Sequence, residues 1–249
     1  NNTAIGHNCL ASNITGAYNV AIGNYALDTA NTDHNTAIGY QAMTNVTASE
    51  CVAVGSRALK AQTSAARCTA VGSEAATAVT TADDTTAIGR SALAACVTGS
   101  SNTAVGYYAL YDGDSSAVSQ NVALGIQAGR NNRGGSNVYI GSQSGGGSSA
   151  NVITGSNNIM IGRLAEPSTT SVSNEITLGS SSITTLRCQV TSITALSDER
   201  DKTAIEDLDL GLKFVNAMKP RKFTWNRRDG KWVGKKEIGF IAQELHELE

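Results

Sequence analysis

One short pattern of apolar and polar positions recurs along the first three quarters of the chain. It opens as Asn2-Thr-Ala-Ile-Gly6 and returns as Asn19-Val-Ala-Ile-Gly23, Asn35-Thr-Ala-Ile-Gly39, Cys51-Val-Ala-Val-Gly55 and Cys68-Thr-Ala-Val-Gly72. It continues as Thr85-Thr-Ala-Ile-Gly89, Asn102-Thr-Ala-Val-Gly106, Asn121-Val-Ala-Leu-Gly125 and Asn137-Val-Tyr-Ile-Gly141, with looser copies at Asn158-Ile-Met-Ile-Gly162 and Glu175-Ile-Thr-Leu-Gly179. Successive glycines are 17, 16, 16, 17, 17, 17, 19, 16, 21 and 17 residues apart. Eleven copies at a near-constant period describe a stacked, quasi-one-dimensional array.

Positions two and four of the phrase are apolar or Thr, a period-two alternation that predicts a short strand ended by the glycine. Two polar or aromatic residues follow, as in Asn24-Tyr25 and Tyr107-Tyr108, and read as an exposed turn. An Ala-Leu pair comes next (Ala26-Leu27, Ala58-Leu59, Ala92-Leu93, Ala109-Leu110) and reads as a second, inward-facing strand. One such coil buries no core alone, but stacked coils do, because each strand pairs in parallel with its copies above and below. Position three is Ala in the first eight copies, which predicts a narrow interior. Position two is read as buried, and it mixes Thr with Val and Ile; both points oppose the regular outward Thr grid of an ice-binding surface. Asn151-Val-Ile-Thr-Gly155 reads as an extra partial copy, and residues 176–193 as a β-rich neck.

The predicted architecture is mainly β: a parallel β-solenoid or β-roll of about eleven repeats, then a small α+β C-terminal domain. The domains are placed at 1–184 (solenoid), 185–196 (neck) and 197–249. Composition divides at the same place. Residues 1–190 hold 21 of 25 glycines and 8 Lys/Arg against 10 Asp/Glu, whereas residues 191–249 hold 11 of each charge, both tryptophans and all three phenylalanines. A thin solenoid with little aromatic core is expected to gain apolar burial by associating with copies of itself. The net charge of −2 gives no pointer to nucleic acid, and the absence of a long apolar run gives none to membrane insertion. The chain begins inside a repeat without a signal-peptide pattern, so a segment of something longer is expected.

The repeat resembles the head repeats of trimeric bacterial adhesins over roughly residues 2–183. That resemblance implies a left-handed parallel β-roll and a homotrimer. Near the C-terminus stand Ser197-Asp198-x-Arg200-x-Lys202, Phe223-Thr-Trp225 and Ile238-Gly-Phe-Ile-Ala-Gln-Glu244. These motifs, in this order, resemble the intramolecular chaperone domain of viral tail fibres and tailspikes, also classed as a self-cleaving serine peptidase family. The resemblance implies that the domain helps three chains fold, then cuts itself off. It makes Ser197 the nucleophile, Lys202 its base, Leu196–Ser197 the scissile bond, and Asp198 and Arg200 possible supports. The residues alone leave a second reading of Ser197 open, as an ordinary helix N-cap. A hairpin is expected from Phe223–Trp225 and Trp232–Val233 around Asp229-Gly230, and a helix from Ile241 to Leu248.

Other candidate chemistry is sparse. Carboxylate pairs of the kind that cleave polysaccharides are sought at Asp28 with Asp33, Asp83 with Asp84, and Asp112 with Asp114. No second acid recurs in the next coil, so these read as loop acids. His7 and His34 are isolated, and Cys9, Cys51, Cys68, Cys96 and Cys188 match no zinc spacing, so neither metal nor cofactor is expected. Cys51 and Cys68 share position one of successive coils and are placed one rung apart. Tyr40, Tyr107, Tyr108 and Tyr111 are candidates for an aromatic sugar-binding surface or for a subunit boundary. The reading is a trimeric viral fibre segment on the virion surface or outside the cell, binding a host-surface receptor such as a glycan. The alternatives are a cellular trimeric adhesin or extracellular fibre, and a glycan-degrading tailspike.

Overall fold

The computed structural model describes residues 1–29, 31–112, 118–146, 152–187, 217–224, 234, 236–241 and 244. The chain divides into two compact units, Asn1–Leu186 and Arg187–Glu249.

In the first unit every phrase is a three-residue strand: β1 (Thr3–Ile5), β2 (Val20–Ile22), β3 (Thr36–Ile38), β4 (Val52–Val54), β5 (Thr69–Val71), β6 (Thr86–Ile88), β7 (Thr103–Val105), β8 (Val122–Leu124), β9 (Val138–Ile140), β10 (Ile159–Ile161) and β11 (Ile176–Leu178). They form one parallel sheet in chain order, with equivalent residues opposite one another, such as Val52 with Thr69 and Ala53 with Ala70. The β-solenoid is therefore as the repeats predict. Each coil holds one strand rather than the two expected. The Ala-Leu segment is buried but consists of turns, with Leu27, Leu59, Leu93 and Leu110 in the left-handed region at φ 48 to 54°. β-Branched residues avoid that region most strongly, which accounts for Leu, Met or Ala there. Leu59 N–H donates to Ala75 O of the next coil at 3.0 Å, so this corner is bonded from rung to rung as well.

The interior is lined by position three and by the Ala-Leu segment: Ala21, Ala37, Ala53, Ala70 and Ala87 are fully buried with Leu27, Met43, Leu59 and Leu93. Positions two and four point the other way. Val52, Val71, Ile88 and Val122 are 37–40% exposed, so the expectation that position two is buried is corrected. Successive side chains on a strand point to opposite faces, and with Ala inward both its neighbours must face outward. The sheet thus presents a stripe of Val, Ile, Leu and Thr eleven rungs long, about 48 Å by 7 Å.

Position one supports the sheet from within. Asn35 donates its backbone N–H to Asn19 Oδ1 at 2.9 Å, while the Asn19 side-chain amide donates to Thr32 O at 2.6 Å. The same pair of bonds is made by Asn2, Asn35, Asn102, Asn121, Asn137 and Asn158. A thiol both donates and accepts, so cysteine can stand in this ladder. Cys68 N–H points at Cys51 Sγ (3.4 Å), and Cys51 Sγ in turn lies 3.4 Å from Ala65 O.

One coil breaks the Ala rule and shows how the interior is balanced. Tyr139 occupies position three of β9, fully buried, and its hydroxyl donates to Asn132 Oδ1 at 2.9 Å. The ring fits because the usual leucine position is Gly129 in the preceding coil and Gly145 in its own. A Cβ on either would meet the Tyr139 ring at 2.6 and 2.3 Å. Tyr139→Ala is expected to cost about 3 kcal/mol of solenoid stability by leaving a cavity. Adding Gly129→Leu and Gly145→Leu should return most of that loss, as read by thermal or denaturant unfolding of the three proteins. An unchanged midpoint for Tyr139→Ala would contradict this packing.

Residues 152–155 do not join the sheet as a further copy of the phrase would. Ile153 forms a parallel bridge with Asn132, on the loop side of the preceding coil rather than in the sheet. After β11, residues 179–187 carry no strand, so the described part of the expected neck is irregular. In the second unit β12 (Arg221–Thr224) pairs antiparallel with β13 (Lys236–Gly239). Its register, Arg221 with Gly239 through Thr224 with Lys236, is symmetric about residue 230, where the turn was expected. The described partner strand is Lys236–Gly239, and Trp232–Val233 lies outside the described residues. Of the expected helix from Ile241 to Leu248, Ile241 is not helical, Glu244 is helical, and residues 242, 243 and 245–248 lie outside the described residues.

Candidate functional site

The self-cleavage candidates Leu196, Ser197, Asp198, Arg200 and Lys202 all lie outside the described residues. What is described of their unit is the frame formed by two of its motifs. Arg221, on β12, makes a two-pronged ion pair with Glu244: Nη2 to Oε1 at 2.8 Å and Nε to Oε2 at 2.9 Å. Hydrogen bonds from the guanidinium hold the Glu244 carboxyl below its usual range. A depressed carboxyl pKa contributes stability above the ordinary Glu pKa and loses it as pH falls through the lowered value. Both side chains are well exposed, so solvent screens the pair and its contribution is small.

In the solenoid, three of the loop acids serve as structural acceptors. Asp33 Oδ1 accepts the Ala17 N–H at 2.7 Å, and Asp83 Oδ1 accepts the Ala66 N–H at 2.7 Å, each tying a loop to the coil before it. Asp84 pairs with Arg67 at 2.6 Å, and hydrogen bonding to that guanidinium lowers its pKa. Asp114 lies outside the described residues. Among the described residues no three His, Cys, Asp or Glu side chains cluster to hold a metal ion. His7 packs edge-on against Tyr25, and His34 stacks on Tyr18 at 5.0 Å.

Cys51 and Cys68 do lie one rung apart, as free thiols. A hydrogen bond to the Cys51 sulfur, then burial, push the Cys68 thiol up, and the same bond lowers Cys51. Gln62 Nε2 donates to Cys51 Sγ at 3.0 Å as well. The pair occupies two places of the position-one ladder, and that role accounts for its burial.

The tyrosines gather more selectively than their spacing suggested. Tyr107 and Tyr108 lie 4.2 Å apart between ring centroids, and Tyr108 meets Tyr111 edge-on at 4.4 Å. Tyr40 belongs to the coil of β3, four rungs or about 19 Å from that of β7, and is not part of this group. Two arginines complete it. The Arg90 guanidinium lies 5.5 Å from the Tyr107 ring centre, and that of Arg130 lies 5.3 Å from Tyr108 and 5.8 Å from Tyr111. Sequence reading missed both arginines. The signal is register: Arg90 follows its phrase glycine as Tyr107 does, and Arg130 stands five after its own, as Tyr111 does.

Residues 197–248, the span that holds the three C-terminal motifs, match the family described as chaperone of endosialidase. Comparison with curated proteins gives no match, and comparison with solved structures gives none. A chaperone-of-endosialidase domain behind a parallel β-solenoid fits a tail-fibre-like protein with a C-terminal chaperone. No helix among the described residues is long and apolar enough to cross a membrane.

Proposed function

We propose that the chain is a segment of a homotrimeric fibre of the tail-fibre or tailspike type, which attaches a virion to a receptor on the host surface. Its C-terminal domain assists three chains in folding and cuts itself off at Leu196–Ser197, with Ser197 as nucleophile and Lys202 as base. The observation that carries this reading is the family match at 197–248 following a solenoid with an uncovered apolar stripe. A contiguous apolar patch of that length is unusual on a monomer and marks a binding face. Three copies bringing their stripes together would bury Val71, Ile88 and their equivalents while leaving the loops free to meet a receptor. A glycan-cleaving reading gains nothing from Asp33, Asp83 and Asp84, which are engaged in holding coils together.

Sedimentation at micromolar concentration is expected to give a trimer. Replacing Val71 and Ile88 by Asp should convert it to monomer or unfolded chain, because a charge buried against its own copies is costly. The same change at Ser73, an exposed residue outside the stripe, should leave the trimer intact. A stable monomer of the native chain would refute the trimeric reading.

A further inference from the structure

We infer that Tyr107, Tyr108 and Tyr111, flanked by Arg90 and Arg130, form a binding site for an acidic glycan, a pyranose that carries a carboxylate. The inference names a ligand class for the attachment reading and rests on it. Three neighbouring rungs build the site. The coil of β7 supplies the three tyrosines, the coil of β6 supplies Arg90 on one side, and the coil of β8 supplies Arg130 on the other. The rungs are locked in this order by backbone bonds, Tyr108 N–H to Arg90 O at 3.2 Å and Asp112 N–H to Arg130 O at 2.7 Å. The two arginines are therefore about 10 Å apart along the solenoid axis, with the aromatic ridge between them.

The chemistry of the group suits a charged sugar better than a neutral one. Tyrosine rings offer a flat apolar face and a polar edge, and Tyr107 keeps 37% of its surface exposed. Two other solenoid arginines are matched by acids, Arg57 with Glu74 and Arg67 with Asp84. Among the described residues neither Arg90 nor Arg130 has such a partner, and Arg130 Nε is buried without a hydrogen-bond acceptor. Both guanidiniums rest on tyrosine faces instead. A planar guanidinium presents paired N–H donors that match a carboxylate in geometry and charge. Two guanidiniums that pair with no acid among the described residues and flank an aromatic ridge select for a negatively charged ligand.

The test titrates the full chain with sialyllactose and with oligogalacturonate, each beside its neutral counterpart, lactose and methyl-esterified oligogalacturonate. At least one acidic sugar is expected to bind about tenfold more tightly than its neutral partner, with affinity falling as salt rises. Which of the two binds tells a sialic acid from a uronic acid source. The double change Arg90→Gln and Arg130→Gln should erase that preference while the melting curve stays native. Tyr107→Ala should weaken both partners of the pair. Equal binding of acidic and neutral sugars, a preference that survives the double change, or no binding by either acidic sugar overturns the site. A parallel arm measures adhesion of the labelled chain to a panel of bacterial and animal cells. Adhesion that persists unchanged in the double variant overturns the site and leaves attachment standing, whereas a native chain that adheres to nothing and binds no sugar overturns both.

Discussion

Gly72→Ala is expected to destabilise the solenoid by about 2–6 kcal/mol, out of proportion to the single methyl group it adds. Two costs act together. Gly72 has φ +139°, a region essentially closed to residues with a Cβ, and forcing one there costs about 1–3 kcal/mol. The added Cβ would also stand 2.6 Å from the carbonyl carbon and oxygen of Gly89 in the next coil. Those atoms belong to a bonded rung, so relief requires the coils to part, which costs about 1–3 kcal/mol more. The ten phrase glycines from Gly6 to Gly162 share this geometry, with φ from +123 to +139°, so they form a column along which rungs touch backbone to backbone. Stability in such an array is a sum of coil and interface terms, and the change strikes an interface. Ser73→Ala, one residue on and exposed, serves as the control. Equilibrium unfolding that finds the two variants within about 0.5 kcal/mol of each other would show that the column is not what sets the rung spacing.

Most of the solenoid was legible because its signal is repeated eleven times, and the errors lie where a repeat leaves two physical solutions. Alternation says that Thr69 and Val71 share a face and that Ala70 takes the other. It does not say which face is inside. Burying the β-branched pair is the natural choice for a single chain, yet the interior between the sheet and the Leu27–Leu110 column has room only for Ala. The larger residues are left outside, where only another surface can cover them. The turn conformation of Leu59 was hidden for a similar reason: burial is visible in the pattern, but a φ of 49° is not. Residues 151–155 deceived by composition, since Val-Ile-Thr-Gly imitates the phrase while pairing with Asn132. In the aromatic site the tyrosines announced themselves by proximity in sequence. Arg90 and Arg130, 17 residues before and 19 after the equivalent tyrosines, emerge only once the coils are set in register. The reading of Ser197 and Lys202 as a pair rests on the family resemblance alone, because five residues of separation do not distinguish a catalytic pair from a helix cap and both residues lie outside the described ones.

Ser197→Ala and Lys202→Ala are each expected to leave the chain uncut, while Ser192→Ala cuts as the native protein does. The argument starts from what a lysine base needs. An exposed Lys has a pKa near 10.4, about three units above neutrality, so keeping it unprotonated at pH 7 costs roughly 4 kcal/mol. Burial among apolar groups and nearby cations such as Arg200 lower that pKa, since both disfavour the charged form. A domain of about fifty residues has little interior in which to bury an amine. Packing three such domains together supplies more. Cutting at Leu196–Ser197 is therefore expected only after trimer assembly, so that release of the 197–249 fragment reports that three solenoids have joined. The Val71→Asp and Ile88→Asp chain, unable to assemble, should stay intact although its Ser197 and Lys202 are untouched. Intact-mass measurement on native, Ser197→Ala, Lys202→Ala and assembly-deficient chains decides the matter. Fragment released from a verified monomer would separate cleavage from assembly. A native trimer that keeps its full mass would instead return Ser197 to the role of a helix cap.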